Sequence, residues 1–329
     1  MAEVKKVLFL KNLASIDKGA EMDRNTVDWK GYWPACPTPF HKSGEIDFDS
    51  FDKLIDWYLE RKMHGLFING TTGEWFSQSI QERKEIANFV AKKVGNKVPT
   101  VIGVTTFTAK ESIDLAEHAM AAGISGICSS APAYSKTLPD ETVAYFKTIS
   151  DAVKAPLMIY NWPHGTNIEI SGELAARLAD IDTVVAIKDS TPNADQFRET
   201  TKNLIDKVRI FGNFMVPENL EFKLKFGGDG TIGGGSIFGL ADSIFWENVW
   251  SGNIDEAMKH AKLNEALLSA LWAPGGWAGK FGAYQSQLKA IMKIMGVPGG
   301  EVRPPRLPLT DPQSIEEIRK VLLQFDVIK

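Results

Sequence analysis

The sequence predicts an α/β protein, a (β/α)8 TIM barrel followed by a C-terminal helical extension. Three observations carry that prediction. Short apolar runs bounded by Gly, Pro or Thr recur eight times from about Gly31, amphipathic stretches separate them, and after about Gly252 only helical periodicity remains. Apolar runs of this kind suit strands buried on both faces, as in a parallel sheet covered by helices. Eight βα units within roughly 220 residues fit a closed barrel better than an open doubly wound sheet, which has fewer strands and a switch point.

In chain order the strands are read as Tyr32–Cys36, Gly65–Asn69, Thr100–Val104, Gly126–Ser129, Leu157–Tyr160, Val184–Lys188, Arg209–Gly212 and Gly230–Gly233. Between them, apolar residues at i, i+3, i+4 spacing predict helices over Phe48–Lys62, Ile80–Val94, Lys110–Ala122, Glu141–Val153, Gly172–Ala179, Ala194–Ile205 and Val216–Phe226, with an eighth starting near Ser236. The tail reads as Ile254–Ala270, Phe281–Met295 and Pro312–Phe325, interrupted by Ala273-Pro274-Gly275-Gly276 and the Pro-rich stretch Pro298–Pro308. The expected organisation is therefore an N-terminal extension over 1–30, the barrel over 31–251, and a tail over 252–329 packed on it.

Composition removes several function classes. The 41 acidic residues against 37 basic ones, a net charge of −4, give no electrostatic reason to expect a nucleic-acid or anionic-membrane partner. Cys36 and Cys128 stand far apart without a CxxC, which fits a reducing compartment. The apolar Val7-Leu8-Phe9-Leu10 is too short for a signal-peptide core, and no uncharged apolar stretch is long enough to span a bilayer. A soluble, cytoplasmic protein is expected. His41, His64, His118, His164 and His260 show no HxxH or HExxH spacing, so no metal site is expected.

In such a barrel the chemistry lies at the C-terminal ends of the strands. Strand six runs Val184-Val185-Ala186-Ile187-Lys188, which ends a buried segment on a lysine. Desolvation there lowers the amine's pKa and favours the neutral form, a nucleophile able to condense with a ketone. The same lysine could instead reach solvent or pair with Asp189. Tyr160, ending strand five, is a phenol able to move protons one strand away, or else a core tyrosine. After strand two, Gly70-Thr71-Thr72-Gly73-Glu74 combines freed backbone with two hydroxyls and can hold a carboxylate, or can simply cap the next helix. Tyr134, after strand four, is a second phenol or a packing residue. His164 falls at the rim as a possible substrate contact. Gly228-Asp229-Gly230-Thr231-Ile232-Gly233 satisfies GxGxxG, but it lies in the last strand rather than at a strand-to-helix turn early in a βαβ pair, so no dinucleotide site is expected.

Taken together, Gly70-Thr71-Thr72-Gly73-Glu74, Tyr160-Asn161-Trp162-Pro163, Ile187-Lys188-Asp189-Ser190 and Gly227-Gly228-Asp229-Gly230, in that order on strands two, five, six and eight, resemble the dihydrodipicolinate synthase / N-acetylneuraminate lyase family. The resemblance extends from Gly31 to Leu309. It includes Pro34-Ala35-Cys36-Pro37-Thr38-Pro39-Phe40 near the start and Gly296-Val297-Pro298-Gly299-Gly300 and Arg303-Pro304-Pro305 near the end. It implies a cofactor-free Schiff-base lyase acting on pyruvate or another 2-keto acid. Lys188 would form the imine, Tyr160 act as acid and base, and Thr71 and Thr72, with Gly70, hold the keto-acid carboxylate. Tyr134 would reach across a dimer interface to complete a proton relay with Thr71 and Tyr160, in a homodimer or homotetramer. Gly212 and Ile232 match positions beside the carboxylate and the lysine, and Ser190 and Ser236 match positions that touch the acceptor.

Two departures bear on the substrate. Family members that make dihydrodipicolinate carry an arginine where this chain has Gly165, and sialic-acid lyases carry an acidic pair where it has Phe214-Met215. With Trp162, these changes predict a less polar acceptor pocket in which Asn161 and His164 are the polar handles. The expected reaction joins or cleaves pyruvate and an aldehyde. Dehydration or deamination of a 2-keto acid through the same lysine, and a non-catalytic keto-acid binding barrel, are the alternatives.

Overall fold

The computed structural model describes residues 21–234, 240–274 and 276–329. Eight parallel strands close into a barrel in strict chain order. They are β1 (Gly31–Ala35), β2 (Leu66–Ile68), β3 (Thr100–Gly103), β4 (Gly126–Ser130), β5 (Leu157–Asn161), β6 (Val184–Asp189), β7 (Arg209–Phe211) and β8 (Gly230–Gly234). The helices that follow them are α1 (Phe48–Glu60), α2 (Ile80–Val94), α3 (Ala109–Ala122), α4 (Pro139–Ala152), α5 (Gly172–Ala179), α6 (Ala194–Leu204), α7 (Pro217–Phe226) and α8 (Leu240–Ser251). The extension supplies α9 (Ile254–Leu271), α10 (Tyr284–Ile294) and α11 (Pro312–Gln324).

The expected (β/α)8 fold is therefore present, and the element boundaries agree within about one helical turn. Local chemistry sets them. Ser79 accepts from the Glu82 backbone while the Glu82 carboxylate accepts from the Ser79 backbone, the capping box that starts α2. Asp47, Thr108, Ser171, Asn193 and Asp311 cap their helices with a side-chain oxygen in the same way. Two short pieces escaped the periodicity: a 3-10 turn over Trp75–Ser77 after β2 and a helical turn over Pro163–Thr166 after β5. Both are too short to show a 3.6-residue pattern. The start of α8 expected near Ser236 lies outside the described residues.

Alternation along each strand divides the core in two. Ile127, Ile159 and Ile187 face the helices, whereas Cys128, Met158 and Tyr160 face inward with Trp33, Phe67 and Phe211. The barrel interior is filled by aromatic rings. Trp29 meets Trp33 edge-on at 5.8 Å, and Trp33 meets Phe211 at 5.2 Å. Rings of that size need small neighbours: a Cβ on Gly230 of β8 would lie 2.4 Å from the Phe211 ring and 2.5 Å from the Gly31 carbonyl. Within the GxGxxG stretch Gly230 thus serves packing, while Thr231, Ile232 and Gly233 border the cavity at the barrel mouth. The Asp229 carboxylate of this stretch is bound by Arg24 and Arg209, each at 2.9 Å, and by the Ile210 N–H at 2.8 Å. Trp29 and Met22, both buried, belong to the inward cluster, so the segment before β1 contributes these two side chains to the barrel core.

Candidate active site

Register determines which side chains share the C-terminal mouth. Tyr160 of β5 pairs with Lys188 of β6, and Lys188 pairs with Phe211 of β7. Because Ile159 and Ile187 turn toward the helices, Tyr160 and Lys188 both turn inward, at the floor of a cavity of about 1100 Å³. The Lys188 Nζ lies 3.4 Å from the Tyr160 ring centroid and 5.1 Å from that of Phe67. No carboxylate pairs with it among the described residues. Burial among these rings disfavours the ammonium and lowers the lysine pKa from its usual 10.5 to about 7. The alternative of an ion pair with Asp189 is not what the geometry shows. That carboxylate accepts from Asn161 Nδ2 at 2.9 Å and from the Thr191 N–H at 3.0 Å, and burial raises its pKa to about 6.

Burial pushes the Tyr160 phenol well above its ordinary range, so it stays protonated at neutral pH, while hydrogen bonding from the Thr71 and Ser190 side chains partly opposes that shift. The ring is fixed by Phe67 edge-on at 6.4 Å and by Trp162 stacked at 6.0 Å. The neighbouring Cys128 thiol also lines the cavity, and burial raises its pKa to about 12.

The turn after β2 carries Thr71 and Thr72 into the same cavity. It needs left-handed backbone at Asn69 (φ 52) and Glu74 (φ 57), and it needs Gly70, where a Cβ would stand 2.3 Å from the Phe67 ring. The Asn69 amide is buried without a hydrogen-bond partner among the described residues, which leaves polar capacity at the cavity wall.

The extension holds this turn from behind. Lys289 of α10 pairs with Glu74 at 2.6 Å, both side chains almost fully buried, and also donates to the Thr38 and Glu301 carbonyls at 2.7 Å. Gln285 Nε2 donates to the Thr71 carbonyl at 2.9 Å. The Tyr284 hydroxyl hydrogen-bonds with Thr72, and burial raises its pKa to about 12. That hydroxyl occupies the space beside Gly234, 1.8 Å from where a Cβ would be. Removing one partner of a buried ion pair leaves the other uncompensated. Lys289→Met is therefore expected to lower stability by about 3–5 kcal/mol; an unchanged midpoint in urea denaturation would show that the pair does not anchor the turn.

The structure brings most of the sequence candidates to one place. Lys188, Tyr160, Gly70, Thr71, Thr72, Gly212, Ile232, Trp162, His164 and Ser190 all line the cavity. Three do not. Asn161 is buried beneath it, clamped between Asp189 and the Glu169–Ile170 segment. Phe214 is fully buried against Phe197 and Trp246, and its neighbour Met215 is the residue that reaches the cavity. Tyr134 is 94% exposed at φ 72 and does not line this chain's own cavity, although the adjacent Ala133 does. Ser236 lies outside the described residues.

Gly165 also has a structural reason. A Cβ there would sit 2.4 Å from Trp162 Cδ1, so the indole fills the space into which a side chain at 165 would extend. Trp162 meets His164 edge-on at 5.4 Å, and His164 stacks on Trp277 at 5.7 Å, which makes this side of the mouth aromatic. Trp277, Tyr284, Gln285 and Arg306, all from the extension, line the cavity without having been anticipated. The interruption of the last helices by Ala273-Pro274-Gly275-Gly276 is one sequence sign of a segment shaped for something besides packing.

Comparisons with known proteins agree with this geometry. The Dihydrodipicolinate synthetase family profile matches residues 28–324. The chain is 29% identical over 295 residues to the 4-hydroxy-tetrahydrodipicolinate synthase of Oceanobacillus iheyensis, covering 89% of this chain and 96% of that protein. It is 30% identical over 302 residues to an uncharacterized DapA-like lyase of Rhizobium meliloti, covering 90% and 97%. Among solved structures, YagE, a prophage protein of the dihydrodipicolinic acid synthase family from E. coli K12 in complex with pyruvate, superposes with a TM-score of 0.84 at 25% identity, covering 92% of this chain and all of that one. The chain is a lyase and belongs to the dihydrodipicolinate synthetase family.

Proposed function

We propose that this lyase binds pyruvate or another 2-keto acid covalently on Lys188 and makes or breaks a carbon–carbon bond to an aldehyde. The observation that carries the reading is a buried lysine amine, free of any carboxylate, whose pKa has fallen to about 7 beside a protonated phenol. Its neutral amine adds to the keto carbon, the carbinolamine loses water, and the imine withdraws electrons from the adjacent carbon. Loss of a proton there gives an enamine that adds to an aldehyde carbonyl, and water then releases the 4-hydroxy-2-keto acid and regenerates the amine. Cleavage is the reverse. Thr71 and Thr72 donate to the substrate carboxylate, and neutral donors suit that task because they add no positive charge to compete with the imine. Tyr160 carries protons to and from the carbinolamine and the new hydroxyl.

The unit for this chemistry is, in this reading, the barrel over 31–251 with the tail over 252–329, in the cytoplasm, where thiols such as Cys36 and Cys128 stay reduced. The exposed Tyr134 fits a homo-oligomer in which it enters the neighbouring subunit's site. No helix among the described residues is long and apolar enough to cross a membrane.

Borohydride reduction in the presence of pyruvate, followed by peptide mass spectrometry, tests the proposal. A pyruvyl adduct confined to Lys188 is the expected result. Absence of any adduct across pyruvate and a panel of longer 2-keto acids would overturn it.

A further inference from the structure

A cation from the extension reaches the cavity and has no evident task in pyruvate binding. Arg306 is half-buried and lines the same cavity as Lys188. Its Nε donates to Gln285 Oε1 at 2.9 Å, and its guanidinium stands 5.5 Å from the Phe76 ring centroid. Gln285 in turn donates to the Thr71 carbonyl, so the guanidinium is fixed two hydrogen bonds from the turn that carries the threonines. No carboxylate pairs with Arg306 among the described residues, and its two terminal nitrogens make no hydrogen bond there.

Arg303 shows the contrast. Three residues earlier in the chain, it forms a two-pronged contact with Glu82 and donates to the Gly44 and Ser77 carbonyls, so its donors are occupied by the fold. The other cations lining the cavity offer no substitute. Lys188 is depressed toward neutrality, and the Lys280 Nζ donates to the Ser269 carbonyl. At Gly165 the Trp162 indole leaves no room for a basic side chain. A half-buried guanidinium whose fork lacks a counter-ion is a receptor for a planar anion.

We propose that Arg306 binds a second carboxylate, at the end of the substrate remote from the imine, so that the covalent substrate is a dicarboxylic 2-keto acid. This inference rests on the Schiff-base reading. The substrate body then lies against Phe76 and Trp162, with Thr71 and Thr72 at one carboxylate and Arg306 at the other.

Borohydride trapping on the full chain separates the two ideas. The concentration giving half-maximal adduct is measured for 2-oxoglutarate against 2-oxopentanoate and for 2-oxoadipate against 2-oxohexanoate, pairs matched in chain length, with pyruvate as reference. A two-pronged charge-assisted contact predicts that at least one dicarboxylate is trapped at a concentration lower by about tenfold or more than its monocarboxylate. Arg306→Gln should bring that ratio close to one, and Arg306→Lys, which keeps charge but not the fork, should fall between. A structural arginine would shift both members of a pair alike. Equal trapping of both in the wild type, or a ratio that Arg306→Gln leaves unchanged, overturns the assignment while the lysine chemistry stands. Failure of every keto acid, pyruvate included, to form an adduct removes the Schiff-base reading and this assignment with it.

Discussion

Lys188→Met is expected to abolish the pyruvyl adduct and to lower turnover by roughly four orders of magnitude or more, since no other lysine among the described residues approaches the floor of the cavity. Lys280, the other lysine lining it, is tied to Ser269. The same buried environment fixes the pH dependence. In the proposed mechanism the nucleophile is the neutral amine, which exists above the lysine pKa, so the rate of imine formation should rise with pH and level off above about 7, rather than climb toward the usual 10.5. Stopped-flow measurement of adduct formation against pH checks this. A rate still rising steeply between pH 8 and pH 10 would mean that the rings around Lys188 do not depress it. The linkage has the corresponding sign. Between about pH 7 and the unfolded value of 10.5 the unfolded chain carries a proton on this lysine that the folded chain does not, so folding is opposed there, and the opposition fades as pH rises. Lys188→Met removes that opposition and fits the cavity floor, so its melting temperature at pH 7 should be no lower than that of the wild type while activity is gone. A destabilised variant would argue that Lys188 is held by contacts the active enzyme needs for folding.

What could be read from sequence followed from how local each signal is. The strands were legible because parallel strands under helices must be apolar on both faces, and Lys188 was legible because it breaks such a run at its end. Asn161, by contrast, reads from sequence as a pocket residue because it follows the strand predicted over Leu157–Tyr160. Its amide instead clamps Asp189 and Ile170, and only the register of β5 against β6 reveals that. Phe214 and Met215 show the same limit, since one residue of backbone direction decides which side chain enters the cavity and which enters the helix layer. The contribution of the extension to the site is hardly legible in local sequence patterns. Lys289, Gln285 and Arg306 act on residues more than two hundred positions earlier, and the helical periodicity of α10 says only which face packs, not that its first turn supports Thr71 and Thr72. Polar residues on a packing face, such as Gln285, Gln287 and Lys289, all buried, are the sequence feature that would have pointed there.

Tyr160→Phe separates proton transfer from positioning. The substitution keeps the ring that lies edge-on to Phe67, stacked on Trp162 and against the Lys188 amine, and removes only the hydroxyl. In the proposed mechanism this phenol, held protonated by burial, acts first as an acid, giving its proton to the hydroxyl that leaves the carbinolamine, and regains one through the Thr71 hydroxyl. Loss of such a group lowers turnover by about 10²–10⁴-fold. Imine formation should suffer less, because water can protonate the carbinolamine in a cavity of this size, whereas proton transfer at the carbon–carbon bond step needs a donor fixed beside the enamine. The expected result is thus a variant that still accumulates the borohydride-trappable adduct on Lys188 but turns over slowly, whereas Thr71→Val, which removes a donor to the keto-acid carboxylate as well as the partner of the phenol, should lose adduct formation and turnover together. Equal loss of adduct formation and turnover in Tyr160→Phe would instead assign the hydroxyl to orienting the lysine and the keto carbon. The proton for the bond-making step would then have to come from another group at the mouth, with Tyr284 and Ser190 the candidates nearest to the Thr71–Tyr160 pair.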